Sequence, residues 1–261
     1  NEENSVIDDF KNHIYHDGSR YVTRLPFKPD HDDLPDNYVV SQKRLVSTVK
    51  RLKAKGIYEG YDKIFKEYEK EGIIEKVPND EIFKESGNVH YLHHRAVVRE
   101  DKQTTKIRAV FDASCKVNGP SLNDCLYSGP NLLSKIFDVL FRFRLNKIAI
   151  VADIKQAFLN VSIDSQHVDF LRFLWFENNK ETIYRFLRVV FGVTSSPFLL
   201  NGTIRNHLDK NLSGPNSEII SKLSEDLYVD DTTTGCNSVE EGIHFQKIAI
   251  SVMQEAGFEL R

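Results

Sequence analysis

Residues 147 to 153 read Lys-Ile-Ala-Ile-Val-Ala-Asp: five consecutive apolar residues, three of them β-branched, closed by a carboxylate. A run this short, this β-branched and without polar alternation is a strand covered on both faces. The chain must therefore build a sheet around it. A carboxylate leaving such a strand is costly unless it is paired, solvated or bound to a cation, so Asp153 demands a partner.

Other elements follow from local signals. Ser41 caps a helix with Leu45, Val49 and Leu52 on one face and Gly56 as its stop, and a second helix runs from about Tyr58 to Glu71 before Gly72. Val89 to Val98 and Ile107 to Phe111 have strand composition around a polar turn, and Val168 to Phe176 with Thr182 to Val190 form a second hairpin around Asn178-Asn179. Asn131 caps a helix through Phe143, another helix starts near Ser196-Pro197, and Leu227 to Val229 turns at Asp230-Asp231 into Thr232 to Thr234. Ser238 with Glu241 is a capping box opening a helix that stops at Gly257. The order is that of an α+β fold with helices on one face of an antiparallel sheet. Residues 1–37, with three prolines and few periodic apolar positions, read as a lead-in or linker.

At 261 residues and 40% apolar content the chain can bury one sizeable core or two modest ones. No apolar run is long enough to cross a membrane, and the start, which is not Met, has no secretory pattern, so the chain is expected to be an excerpt with no membrane partner. Three cysteines without a C-x-x-C pair predict neither a disulfide framework nor a zinc ribbon. His90, His93 and His94 do not make a zinc site either, because His93 and His94 point to opposite faces of a strand.

A net charge of −3 argues mildly against nucleic acid, but its distribution matters more. Ser41 to Lys55 holds Lys43, Arg44, Lys50, Arg51, Lys53 and Lys55 with no acid, a face suited either to phosphates or simply to water. Asp230-Asp231 lies at a hairpin tip, where most aspartates are only turn formers. If that hairpin neighbours the 147–153 strand, three carboxylates meet at one sheet end, and their repulsion calls for cations such as Mg²⁺.

Asp153-Ile-Lys-Gln-Ala-Phe158, Phe191-Gly-Val-Thr-Ser-Ser-Pro197 and Tyr228-Val-Asp-Asp231 together resemble the polymerase motifs of reverse transcriptases. Among these the chain is most similar to those of long-terminal-repeat retrotransposons of the BEL/Pao group, over about residues 38 to 261. The resemblance implies a polymerase right-hand fold: a ferredoxin-like palm, mainly residues 131–261, mixed α/β fingers, mainly 38–130 and interleaved with the palm, and no thumb. It implies an RNA-directed DNA polymerase that joins a dNTP to a primer 3′-hydroxyl on an RNA or DNA template, with two Mg²⁺ ions, replaceable by Mn²⁺. A catalytically lost nucleic-acid-binding or assembly module from such an element is the alternative, against which the three aspartates argue.

On the same resemblance Asp153 and Asp230 are the metal ligands, with Asp231 and the Ile154 carbonyl completing the site. Arg108 grips the triphosphate with its planar fork, and Arg99 or Lys102 adds a second contact. Ala157, Phe191 and Gly192 line the dNTP site, and Phe158 is a steric gate against the 2′-hydroxyl. Tyr228, Ser196, Pro197, Lys43 and Lys50 face primer or template. Fusion to protease, RNase H and integrase, and action in cytoplasmic particles with a nuclear phase, follow by the same analogy. Gly257 to Arg261 matches the start of the last palm motif.

Overall fold

The computed structural model describes residues 2–83, 88–98 and 107–261. In chain order these form α1 (Glu2–His13), β1 (Tyr15–His16), β2 (Tyr21–Thr23), α2 (Tyr38–Ala54), α3 (Tyr58–Lys70), β3 (Ile74–Lys76), β4 (His93–Val98) and β5 (Ile107–Asp112). There follow α4 (Leu122–Cys125), α5 (Ile136–Arg144), β6 (Ile148–Asp153), β7 (Ser162–Ile163), β8 (Arg172–Glu177) and β9 (Lys180–Phe186). The last elements are α6 (Ser196–Asn211), α7 (Ser217–Asp226), β10 (Leu227–Tyr228), β11 (Asp231–Cys236) and α8 (Val239–Glu255). None of the described helices is long and apolar enough to cross a membrane.

The chain divides into two compact units, one made of Asn1–Thr23, Gly129–Ser162 and Pro197–Arg261, the other of Arg24–Ser128 and Ile163–Ser196. The first unit is built on the antiparallel sheet β10-β11-β6, with α5, α7 and α8 packed against it. Strand β6 is thus at the edge of that three-stranded sheet, and it is not covered on both faces: Ala149 and Val151, on one side of it, are exposed. Residues 258–261 begin to cover its free side: Asp153 and Arg261 exchange backbone hydrogen bonds, and Ile154 bridges Leu260.

The amino-terminal segment is not a linker. Val6 and Phe10, four residues apart on one face of α1, are buried, and the Phe10 ring meets Phe198 of α6 edge-on at 5.2 Å. Tyr21 donates a 3.1 Å hydrogen bond to Nδ1 of His207, whose Nε2 donates to the Val252 carbonyl and so ties α6 to α8.

The second unit contains the sheet β3-β9-β8 and the separate hairpin β4-β5, with α2 and α3 packed on them. The β8-β9 hairpin turns on Asn178 and Asn179, both at positive φ as a type I′ turn requires. Its core is aromatic: Tyr61, Phe65, Phe111, Phe173 and Trp175 surround His94. Burial pushes the His94 imidazole down to about 4, so the ring is neutral, accepting from the Tyr61 hydroxyl and donating to the Leu174 carbonyl. Arg172, fully buried, is held by Asp169, the Tyr91 hydroxyl and the carbonyls of Glu81 and Ile82. Each guanidinium nitrogen has an acceptor, which is what makes a buried charge tolerable.

Several element ends differ from the local signals. Helix α2 starts at Tyr38, after Asn37 at φ 62, because Ser41 is buried inside it with its hydroxyl donated to the Tyr91 carbonyl. Asn131 spends its side chain on the Leu133 amide two residues on, a local turn that competes with a helix, and α5 begins only at Ile136. Val168–Leu171 is a single 3₁₀ turn before β8. At α8 Ser238 caps the Glu241 amide as expected, but the Glu241 carboxylate accepts from Asn237 and not from Ser238. Helix α7, which follows the Gly214-Pro215-Asn216 turn, is not among the elements expected from the sequence.

The four-residue α4 carries a complete capping box: Ser121 accepts from the Asp124 amide while Asp124 accepts from the Ser121 amide. The Ser121 side chain and backbone, then Lys116, hold the Asp124 carboxyl down to about 2. Ser121→Ala is therefore expected to cost about 1 kcal/mol at neutral pH. Because the folded-state pKa is depressed, that contribution is present above the ordinary carboxylate range and is lost as pH falls from there toward 2. Denaturant titrations of both proteins at about pH 7 and near pH 3 measure it; equal losses at the two pH values would contradict the assignment.

Candidate active site

The register of the first unit's sheet is what assembles the acidic site. Strand β11 pairs antiparallel with β6 from Cys236 opposite Ile148 to Asp231 opposite Asp153. Directly opposite residues share a face, with Cβ atoms about 5 Å apart, so Asp153 and Asp231 stand side by side at the sheet end. Asp230 comes from the adjoining turn, in which Tyr228 pairs with Asp231. Val229, the first turn residue, sits at φ 59, a left-handed conformation that a β-branched residue adopts only under strain. The Asp230 carbonyl accepts from the Ile154 amide at 2.8 Å, locking the turn to the end of β6.

Electrostatics follow from this crowding. Partial burial, then the Asp231 and Asp153 charges, hold the Asp230 carboxyl above the ordinary carboxylate range, with a backbone hydrogen bond opposing them. Asp153 is compensated by Arg261, whose Nε and Nη2 reach its carboxylate at 3.0 and 2.9 Å. The pair is half exposed, so its contribution to stability is small. Among the described residues no three His, Cys, Asp or Glu side chains already converge as a metal cage. The donors are nonetheless hard carboxylate oxygens with a surplus of negative charge, the chemistry that suits Mg²⁺.

Ala157 and Phe158 follow in a 3₁₀ turn and are 3% and 5% exposed, so little more than an edge of the Phe158 ring reaches the surface. Tyr228 is half-buried, Pro197 is exposed, and Ser196 is buried with its hydroxyl donated to the Val190 carbonyl at 2.6 Å. That side chain is engaged in structure, leaving Pro197 as the exposed member of the pair.

In the second unit Arg108 is exposed on β5, opposite Val97 of β4. Arg95, opposite Val110, lies two residues along the same face of the hairpin, a second exposed cation that only the strand register reveals. Arg99 and Lys102 lie outside the described residues. Phe191 is exposed, and Gly192, at φ 100, lies so close to the Phe111 carbonyl that a Cβ would stand 2.3 Å from its oxygen. Lys43 and Lys50, seven residues apart on α2, are both exposed.

Residues 106–261 match the family model described as reverse transcriptase (RNA-dependent DNA polymerase). The chain belongs to the reverse transcriptase family. Among solved structures it resembles the foamy viral protease-reverse transcriptase in complex with RNA/DNA hybrid, at TM-score 0.61 and 16% identity over all of this chain and 30% of that one. It also resembles the foamy viral protease-reverse transcriptase dRH in complex with ds DNA, at TM-score 0.54 and 19% identity over 74% of this chain and 28% of that one. At such identities the likeness is one of fold, the fingers and palm of a reverse transcriptase, and this chain spans less than a third of either protein. No curated protein sequence matches it.

Proposed function

We propose that this reverse transcriptase chain is the catalytic part of an RNA-directed DNA polymerase from a BEL/Pao-type retrotransposon polyprotein. The observation that carries the reading is the pairing of Asp231 with Asp153 and the placement of Asp230 in the adjoining turn. The first unit corresponds to the palm and the second to the fingers. In a longer polyprotein, protease, RNase H and integrase would accompany them, and synthesis would take place in cytoplasmic particles.

Asp153, Asp230, Asp231 and the Ile154 carbonyl would hold two Mg²⁺ ions. Bound there, magnesium supplies the charge that favours ionisation of the primer 3′-hydroxyl and neutralises the triphosphate as pyrophosphate leaves. The chain's own part is positioning. The Ile154-to-Asp230 hydrogen bond fixes the turn that carries the second carboxylate, and Tyr228 supports the primer end. Arg108 binds triphosphate oxygens, with Arg99 adding a contact, and Lys43 and Lys50 hold template phosphates in a salt-sensitive, sequence-independent way.

The test is extension of a DNA primer on an RNA template by the purified protein with Mg²⁺ or Mn²⁺. Template-dependent incorporation of dNTPs is expected; none under any metal or salt condition would leave a nucleic-acid-binding module instead.

Phe158 acts as the gate against ribonucleotides. Because the ring is 5% exposed, truncation to alanine would empty a core position at a cost of roughly 3–5 kcal/mol, so Phe158→Val is the better probe. It is expected to raise rNTP incorporation relative to dNTP by at least about tenfold. An unchanged ratio in single-nucleotide extension would return Phe158 to the role of a core aromatic.

A further inference from the structure

Asn123 makes a set of contacts that its position on the short helix α4, where it is half-buried, does not require. Its backbone amide donates to the Ala113 carbonyl at 3.0 Å, just beyond the end of β5. Its side-chain Nδ2 donates to the Ser114 Oγ at 2.8 Å and to the Gly192 carbonyl at 3.0 Å. Its Oδ1 accepts from the Thr194 amide at 2.8 Å. One carboxamide thus spans the loop 192–194 with a donor and an acceptor at once, which no aliphatic or singly functional side chain can do.

Both sides of this clasp are themselves rigid. Asn123 lies within the capping box of Ser121 and Asp124, so its backbone is fixed by two reciprocal hydrogen bonds. The loop it holds is pressed against β5, with Gly192 over the Phe111 carbonyl and Ser196 bonded back to Val190. All of these residues belong to the second unit. The loop and β5 both carry residues to which nucleotide contacts are assigned: Phe191 and Gly192 on one, Arg108 on the other.

We infer that Asn123 is a positioning residue for the incoming nucleotide, holding the Phe191–Gly192 loop in fixed register with the strand that carries Arg108. This rests on the polymerase reading above. Asn123 touches neither nucleotide nor metal in this role; it sets where the loop's exposed surface stands. Misplacement of such a surface by about 1 Å weakens productive binding steeply while leaving distant contacts intact.

The experiment compares the unaltered protein with Asn123→Ala and Asn123→Asp. Hydrogen exchange of the peptide spanning residues 190–196 reports the clasp, and steady-state extension reports KM for dNTP and the primer-template Kd. Asn123→Ala loses all three side-chain bonds. Its loop is expected to exchange at least about fivefold faster, with KM for dNTP up about tenfold and primer-template Kd within about twofold. Asn123→Asp keeps acceptors for Thr194 and Ser114 but turns a negative charge on the Gly192 carbonyl, so it should fall between, and it serves if the alanine variant does not fold. Unchanged exchange overturns the clasp, and faster exchange with an unchanged KM overturns its role in nucleotide positioning. If the unaltered protein extends no primer, the polymerase reading and with it the nucleotide role fall, whereas exchange at 190–196 still decides whether Asn123 holds the loop.

Discussion

Asp230→Asn is expected to lower template-directed extension by on the order of a thousandfold while making the protein more stable at neutral pH. The two effects have one cause. Asp230 is partly buried beside Asp231 and Asp153, so its charge is unfavourable to the fold, and the same charge is what the proposed metal chemistry needs. The amide keeps the shape and removes the charge. Its pH dependence has a definite sign: a carboxyl raised in the folded state disfavours folding once ionised, so the wild-type deficit is present above the folded pKa and vanishes as pH falls to the ordinary carboxylate value. Melting temperatures of both proteins from about pH 7 down to about pH 3.5 should therefore converge. An Asp230→Asn variant with more than about a tenth of the original extension rate would remove Asp230 from the chemistry. A stability difference that does not narrow in acid would remove the electrostatic account.

Gly192→Ala is expected to cost roughly 2–4 kcal/mol, a fall in melting temperature of about 5–10 °C, and to depress dNTP use with it. Glycine is needed twice at this position. Its φ of 100 is poorly accessible to other residues, and an added Cβ would lie 2.3 Å from a backbone oxygen of β5, which cannot rotate out of the way. Relief requires the loop to lift from Phe111, and lifting breaks the Asn123 bond to the Gly192 carbonyl. Gly214, where a Cβ would find its nearest neighbour at 3.4 Å and φ is not positive, is the control: Gly214→Ala should shift melting by no more than about 2 °C. Equal shifts for the two variants would show that close packing at Gly192 has no energetic weight.

Local structure is legible wherever a residue announces its own backbone. Gly56 and Gly72 end α2 and α3 at positive φ, and Ser238 opens α8. Pro197 stands in the first turn of α6, where its missing amide costs nothing. Signals fail where a side chain has a nonlocal partner, as Ser41 has in Tyr91, or a competing local one, as Asn131 has in Leu133. The amino-terminal segment reads as a linker because Val6 and Phe10 are too few to register as a periodic stripe, yet two buried side chains are enough to dock α1. Strand β6 reads as covered on both faces from its unbroken apolar run, but it lies at a sheet edge with Ala149 and Val151 on an open face, because an apolar run records composition and not which face the rest of the chain covers.

The sequence by itself determined the composition of the acidic site: which three aspartates, which flanking residues, and their order along the chain, because motif spacing is a property of contiguous residues. What it could not determine is that Asp231 lies opposite Asp153 and that Asp230 is held at the end of β6. Strand register is decided by pairing between segments some eighty residues apart, and a one-residue slip would put Asp231 on the other face of the sheet. For the same reason Arg95, Arg261 and Asn123 come to notice only in the folded chain. Each is an unremarkable polar residue until long-range packing gives it a partner: the face of Arg108, the carboxylate of Asp153, and the loop at Gly192.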